Sequence, residues 1–279
     1  METTTVSTTT SPTSTSSSTT TVTLVKRHSL VPPKWEDGVR VVGMSECREA
    51  ALSLAHAFAA DDYAQYLADP GDMDACSAED KWKLHLDITL YTVAATCLSG
   101  RVTTVGPDYD SVALCVPPGR DLDGWWTTLR SGLWRMYFQL SAEGRKRYYD
   151  EILPLLRDTK ADVLGDREAN ALYLVMLGTK PNSQGRGYAK RLLVDILHRA
   201  DVENRPVYLE SSSVSNNAYY GKFGFEIKKV ISLDRGRAPV RLSIMVREPQ
   251  PARKVAYPSA ASTTAAMMVR KFHMGSKMG

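Results

Sequence analysis

Pro181-Asn182-Ser183-Gln184-Gly185-Arg186-Gly187-Tyr188-Ala189-Lys190-Arg191-Leu192-Leu193 is the stretch whose reading decides the fold. Before it runs Ala171-Leu172-Tyr173-Leu174-Val175-Met176-Leu177, a short apolar segment closed by Gly178, which reads as a buried strand. After it, Ala189, Leu192, Leu193, Ile196, Leu197 and Ala200 recur at helical spacing and mark one apolar face. The chain therefore runs strand, glycine-rich turn, helix. The unpaired N–H groups of a helix start, helped by the macrodipole, make a seat for a phosphate or pyrophosphate.

The nucleotide P-loop G-x-x-x-x-G-K-[ST] is absent, and the dinucleotide fingerprint fails because Lys190 stands where its third glycine belongs. What remains is Gln184-x-x-Gly187-x-Ala189 after a strand. This resembles the acyl-coenzyme-A signature Q/R-x-x-G-x-G/A of the GCN5-related N-acetyltransferase (GNAT) superfamily. Leu177-Gly178-Thr179-Lys180-Pro181 resembles that family's end of strand four. Asn216-Asn217-Ala218-Tyr219-Tyr220-Gly221-Lys222-Phe223-Gly224-Phe225 resembles its N-x-x-x-Y-x-x-x-G-F segment. The three matches keep the family order over residues 171–225. The general look of the chain is similar to uncharacterised fungal members with serine-rich leaders, some of which serve amine detoxification or secondary metabolism.

Around this core the chain divides into three parts. Residues 1–30 are nearly all serine and threonine and have too little to bury, so disorder is expected; residues 249–279 read the same way. The folded domain is expected over 31–248. The 43% hydrophobic and 24% charged content is ordinary for a globular chain, and the net charge of +4 comes without a lysine-arginine block that would mark a nucleic-acid surface. No h-region follows the start methionine, no basic residue precedes Lys26, and no apolar run is long enough to span a bilayer. These features point to a cytoplasmic protein that engages neither nucleic acid nor membrane. Cys47, Cys76, Cys97 and Cys115 form no C-x-x-C pair and read as reduced, buried thiols, and no residue set shows metal spacing.

Strands are expected at 39–42, 101–105, 111–116, 206–210, 225–233 and 239–246, in addition to strand four. Ser45 is a candidate cap for the first helix, and further helices are expected at 63–67 and 79–97. Pro107 and the acidic residues of Gly106-Pro107-Asp108-Tyr109-Asp110 suit a hairpin turn. Residues 121–165 read as a helical insertion between strands three and four, longer than the family's minimal pattern. Its aromatic run, Trp125, Trp126, Trp134, Tyr137, Phe138, Tyr148 and Tyr149, is open to two readings: a substrate wall, or packing onto the sheet. The resemblance implies an α/β fold: a mixed sheet of about seven strands, flanked by helices and splayed between strands four and five to admit the pantetheine arm.

It also implies roles. Backbone groups near Leu177 and Thr179 would hold the pantetheine of acetyl-CoA. Main-chain N–H groups of Gln184, Gly185, Arg186, Gly187, Tyr188 and Ala189 would wrap the pyrophosphate, with Asn216 bonding cofactor or strand-end backbone, or capping its helix. The charges of Arg186 and Lys190 either assist or are simply solvated. Tyr220 aligns with the tyrosine proposed to protonate the leaving thiolate, Tyr219 being its rival by one register position. Glu210, at the carboxyl end of strand five, is placed to deprotonate the amine, or else is a sheet-edge carboxylate in an ion pair; Tyr173 is the second candidate on that side. His85 lies in a helix that could cover the acceptor site but reads as packing, and His198 reads as exposed. The expected activity is direct transfer of acetyl from acetyl-CoA to a small-molecule amine in a ternary complex. Peptide or protein-lysine acetylation, a non-catalytic acyl-CoA-binding regulatory module and a structural module with an empty loop stand as alternatives.

Overall fold

The computed structural model describes residues 30–122 and 124–250, together with a two-residue antiparallel pairing of Thr4–Thr5 with Thr23–Leu24. Apart from that pairing and the few residues at each boundary, the serine-rich leader and the tail lie outside the described residues. Seven strands form one sheet: β1 (Arg40–Val42), β2 (Arg101–Val105), β3 (Ser111–Val116), β4 (Leu172–Thr179), β5 (Val207–Ser211), β6 (Glu226–Leu233) and β7 (Val240–Arg247), in the order β1-β2-β3-β4-β5-β7-β6. Every neighbouring pair is antiparallel except β4 and β5. The expected mixed sheet flanked by helices is the observed one.

The helices of seven or more residues are α1 (Cys47–Ala57), α2 (Asp62–Ala68), α3 (Ala78–Ser99), α4 (Trp125–Ser131), α5 (Leu153–Leu164), α6 (Tyr188–Val202) and α7 (Val214–Gly221). A π-helical turn, Lys146–Ile152, feeds α5. The pleat decides which side each strand residue serves. On one face Leu172, Leu174, Val207 and Leu209 pack with Leu192, Leu193, Ile196 and Ala200 of α6. On the other, Leu114 and Val112 meet α1 and α3, while Tyr208, Ile244 and Leu242 share a core with the insertion residues Met136, Leu140 and Ile152.

Two local expectations give way. Ser45 does not cap α1: a 3₁₀ turn, Met44–Glu46, comes first, and the Glu46 carboxylate accepts the Gly43 N–H at 3.2 Å and the Arg40 guanidinium at 2.5 Å. In the β2–β3 turn it is Tyr109, with φ 52°, that takes the left-handed conformation beside Gly106 at φ 96°, not an acidic residue. That unusual choice is held by its hydroxyl, which donates to Glu46 Oε1 at 2.7 Å, and by the Arg40 guanidinium 4.4 Å over its ring. The cysteines are also less uniform than expected. Cys47 and Cys115 are buried, Cys97 is half-buried and Cys76 is exposed. Burial pushes the Cys97 and Cys115 thiols up to about 12, so neither is a nucleophile at neutral pH.

Candidate active site

The loop at 184–189 is shaped by backbone. Gly185 and Gly187 both adopt left-handed φ, 78° and 79°, and a Cβ on either would meet no protein atom within 4 Å. Glycine is therefore required there by conformation, and the space in front of the loop is open. Gly187 is the residue before α6 and offers no side-chain cap, so the first-turn N–H groups of α6 face that space without a side-chain partner. Gln184, Arg186 and Lys190 are exposed around the loop, whereas the Tyr188 side chain is buried and contributes only its main chain. This geometry fits a pyrophosphate.

The loop is pinned from below by the β2–β3 turn. The buried Ser183 hydroxyl donates to Asp110 Oδ1 at 2.5 Å, and Lys180 N–H donates to the Asp110 carbonyl at 2.9 Å. Lys180 Nζ reaches Asp108 Oδ2 at 2.7 Å, and the Ser111 and Thr179 hydroxyls meet at 2.9 Å. Gly178 lets α1 lie directly on β4; a Cβ there would stand 2.9 Å from Leu54, Ala57 and Phe58.

Beside the loop the sheet opens. β4 and β5 pair at only two positions, Leu172 with Val207 and Tyr173 with Tyr208, although both strands continue, to Thr179 and Ser211. Backbone groups on the facing edges beyond that point have no ladder partner and are available to the amides of a ligand arm. On the opposite side of β4 the ladder with β3 skips Val175: Leu114 lies opposite Met176, and Cys115 opposite Leu174. Such a bulge re-aims side chains, and Val175 and Met176 both line a cavity of about 500 Å³ on the face away from α6.

That cavity is walled by α3, the α1–α2 loop, the insertion and the ends of β4 and β5, with Glu210 and Tyr173 in its lining. Burial pushes the Glu210 carboxyl up to about 7, against the opposing pull of the Tyr173 and Tyr208 hydroxyls and of Lys160. The Tyr208 hydroxyl makes no full hydrogen bond, although it lies close enough to Glu210 to favour the charged form. Burial likewise holds the Tyr63 and Tyr173 phenols well above their ordinary range, so both are donors at neutral pH.

Sequence reading had named Glu210, Tyr173 and His85, and the fold brings all three to this cavity. His85 is tied to the Ala55 carbonyl at 2.9 Å, a packing role, and His198 is exposed as expected. Asp61, Tyr63, Lys160 and Ser212 were missed. Asp61 caps α2 by accepting the Tyr63 and Ala64 N–H groups, each at 3.1 Å, and its other oxygen accepts the Ser212 hydroxyl at 2.5 Å. Only the cap, an acid before a helical run, carried a sequence signal. Lys160 Nζ sits 5.3 Å over the Tyr173 ring.

Tyr220 lies apart from the cavity, on the α6 side of the sheet. It is half-buried and stacks edge-on against Phe225 at 5.6 Å and Tyr219 at 5.7 Å. Burial raises its phenol, with Tyr219 adding a smaller effect. Asn216 is not a cap, since Ser213 precedes α7; it is exposed one turn from Tyr220. Its neighbour Asn217 donates to Ser243 Oγ at 2.8 Å, while the Asn217 amide oxygen and the Tyr219 hydroxyl are buried without partners.

No family profile matches the sequence. An uncharacterised N-acetyltransferase of Schizosaccharomyces pombe is 39% identical over 209 residues, which cover 75% of this chain and 82% of that protein. The chain belongs to the GCN5-related N-acetyltransferase superfamily. As a GNAT member it is an acyltransferase. Among solved structures, the polyamine N-acetyltransferase of Drosophila melanogaster resembles this GNAT chain with 18% identity, a TM-score of 0.45 and coverage of 75% of this chain and 98% of that one. For arylalkylamine N-acetyltransferase 2 of Aedes aegypti the values are 13%, 0.47, 77% and 100%. At those scores neither bears on what this GNAT protein acetylates.

Proposed function

We propose that the protein transfers the acetyl group of acetyl-CoA to a small amine-bearing molecule by direct attack in a ternary complex. The observation that carries this reading is the cavity of about 500 Å³ with Glu210 in its lining, since a pocket of this size suits a small acceptor better than an extended peptide. Acetyl-CoA supplies the activated thioester. The chain's own groups do the rest.

The amides of Gln184 to Ala189 cradle the pyrophosphate, and the unpaired edges beyond Leu174 and Leu209 hold the pantetheine amides near Leu177 and Thr179. Glu210, with a proton affinity matched to neutral pH, takes the proton of the incoming ammonium. Tyr63 and Tyr173 orient the amine by accepting its N–H groups at their phenol oxygens. Tyr220 delivers a proton to the departing sulfur, although the burial that raises its phenol makes it a weaker acid than a free tyrosine. Glu210 and Tyr220 lie on opposite faces of the sheet, so acceptor and donor approach from opposite sides of the seam.

The test is a thermal-shift titration with acetyl-CoA and coenzyme A, followed by thiol release across an amine library and a set of lysine peptides. Stabilisation by both ligands, with release from particular amines and loss of turnover in Glu210→Gln, is the expected result. Turnover confined to peptides would overturn the small-molecule assignment, and absence of any stabilisation would overturn the cofactor seat.

A further inference from the structure

The insertion is folded inside out. α4 buries only Ser131, and the following Gly132 presses so closely on α3 that a Cβ would meet the Tyr91 ring at 3.1 Å. The large side chains point the other way: Trp125 is 75% exposed, Phe138 73%, Trp126 56%, Tyr137 53%, Leu129 52% and Trp134 45%. Neither sequence reading of the aromatic run holds for its five members among these. They do not line the cavity and they do not pack on the sheet; Met136, Leu140 and Tyr148 perform those tasks. Trp125 and Trp126 touch at 5.2 Å, and Phe138 touches Trp134 at 6.1 Å and Tyr137 at 5.5 Å, so the exposed rings form clusters on consecutive turns. Exposed aromatic clusters of this kind mark an interaction site.

Charge identifies the occupant. Over residues 124–146 the cations are Arg130, Arg135, Arg145 and Lys146, and the sole acid within the segment is Glu143; from outside it, Asp87 accepts the Gln139 amide at 2.8 Å and Asp72 accepts the Ser141 hydroxyl at 2.7 Å. Glu143 is already engaged by Arg235 at 3.1 Å and Arg147 at 3.6 Å. The Arg135 and Arg145 guanidinium groups lie over the rings of Trp134 and Tyr137. A second copy docked by a twofold axis would set this cationic rim against itself. The chain's own residues 251–279 carry Arg253, Lys254, Arg270, Lys271 and Lys277 and no acid, so they too are repelled. Tryptophan and tyrosine rings framed by arginine and lysine match the headgroup layer of an anionic bilayer.

We infer that the 124–146 face is a docking surface for an anionic lipid membrane. The contact is peripheral: among the described residues no helix is long and apolar enough to cross a membrane. The expectation of no membrane partner rested on the missing spanning segment, which says nothing about a surface contact.

The experiment is co-sedimentation of the full chain with vesicles of phosphatidylcholine alone and of phosphatidylcholine with phosphatidylserine at roughly three to one, read together with tryptophan emission. Binding to the serine-containing vesicles, a blue shift, and weakening by added salt are expected. Arg130→Ala with Arg135→Ala should lower partitioning by roughly 30-fold, and Trp126→Ser with Phe138→Ser should abolish the blue shift. All four substituted side chains are exposed, so the melting temperature and the coenzyme A thermal shift should be unchanged in these variants. Equal binding to both vesicle types would overturn the inference, and so would no binding to either. Unchanged binding in both variants would overturn it by placing the contact in the basic tail. A dimer dissolved by Trp126→Ser with Phe138→Ser would assign the face to a second copy instead.

Discussion

Glu210 concentrates the chemistry of the cavity, and its pH behaviour follows from its surroundings. Burial pushes it up to about 7, so kcat/KM should fall on the acid side with a limb near that value. Lys160, reaching over the Tyr173 ring, favours the carboxylate. Lys160→Met should therefore move the limb to higher pH, and Lys160→Arg should leave it near the parent position; an unmoved limb in the methionine variant would remove Lys160 from that role. The same shift has a stability sign. A carboxyl whose folded pKa is raised keeps its proton where the unfolded chain has lost it, so its contribution is most favourable at low pH. That contribution is lost as pH rises from the ordinary carboxylate range through about 7. Glu210→Gln should then be more stable than the parent at pH 8, by roughly 1–3 kcal/mol in urea unfolding, with the difference vanishing below pH 4. Tyr220→Phe should lower kcat by roughly 10²-fold while acetyl-CoA affinity holds; an unchanged kcat would pass the acid role to another group, with Tyr219 the nearest phenol.

Among the elements, the glycine loop at 184–189 owes its position to the β2–β3 turn. Ser183→Ala would leave a buried Asp110 oxygen without its hydroxyl donor, at a cost of about 1–3 kcal/mol. KM for acetyl-CoA should rise with kcat little changed; if KM is unaffected, the turn does not hold the loop. This coupling was invisible in the sequence, where 110 and 183 lie in separate segments. What was legible had local punctuation. β2, β3 and the α6 start are bounded by Gly100, Gly106, Pro117 and Gly187, and their limits agree with the reading. Ser45 misled because a carboxylate one residue on, Glu46, had three partners waiting in tertiary space. The aromatic insertion misled because spacing shows that a stripe exists and not which side of it meets the core. Asp61, Tyr63 and Lys160 carry no mutual spacing signal at all; only the folding of α2 and α5 over β4 and β5 gathers them.

At the scale of the whole molecule, the sheet is continuous in name through a seam of two residue pairs. On one side stand β1 to β4, with β4 bound to β3 over its length; on the other stand β5, β7 and β6, bound to one another by long antiparallel ladders. The buried Arg247 ties the second group to α6 through both oxygens of Asp201, at 2.7 and 2.9 Å. A ligand arm lying in the seam would supply the hydrogen bonds that β4 and β5 do not give each other. Hydrogen exchange should report this directly: coenzyme A should slow the amides of Met176 to Thr179 and Leu209 to Ser211 more than those of β2 or β6, and uniform slowing would contradict it. The protein is in this sense two plates with an unfinished weld, and the acyl donor proposed to lie in the seam would also be the rivet that makes it stiff.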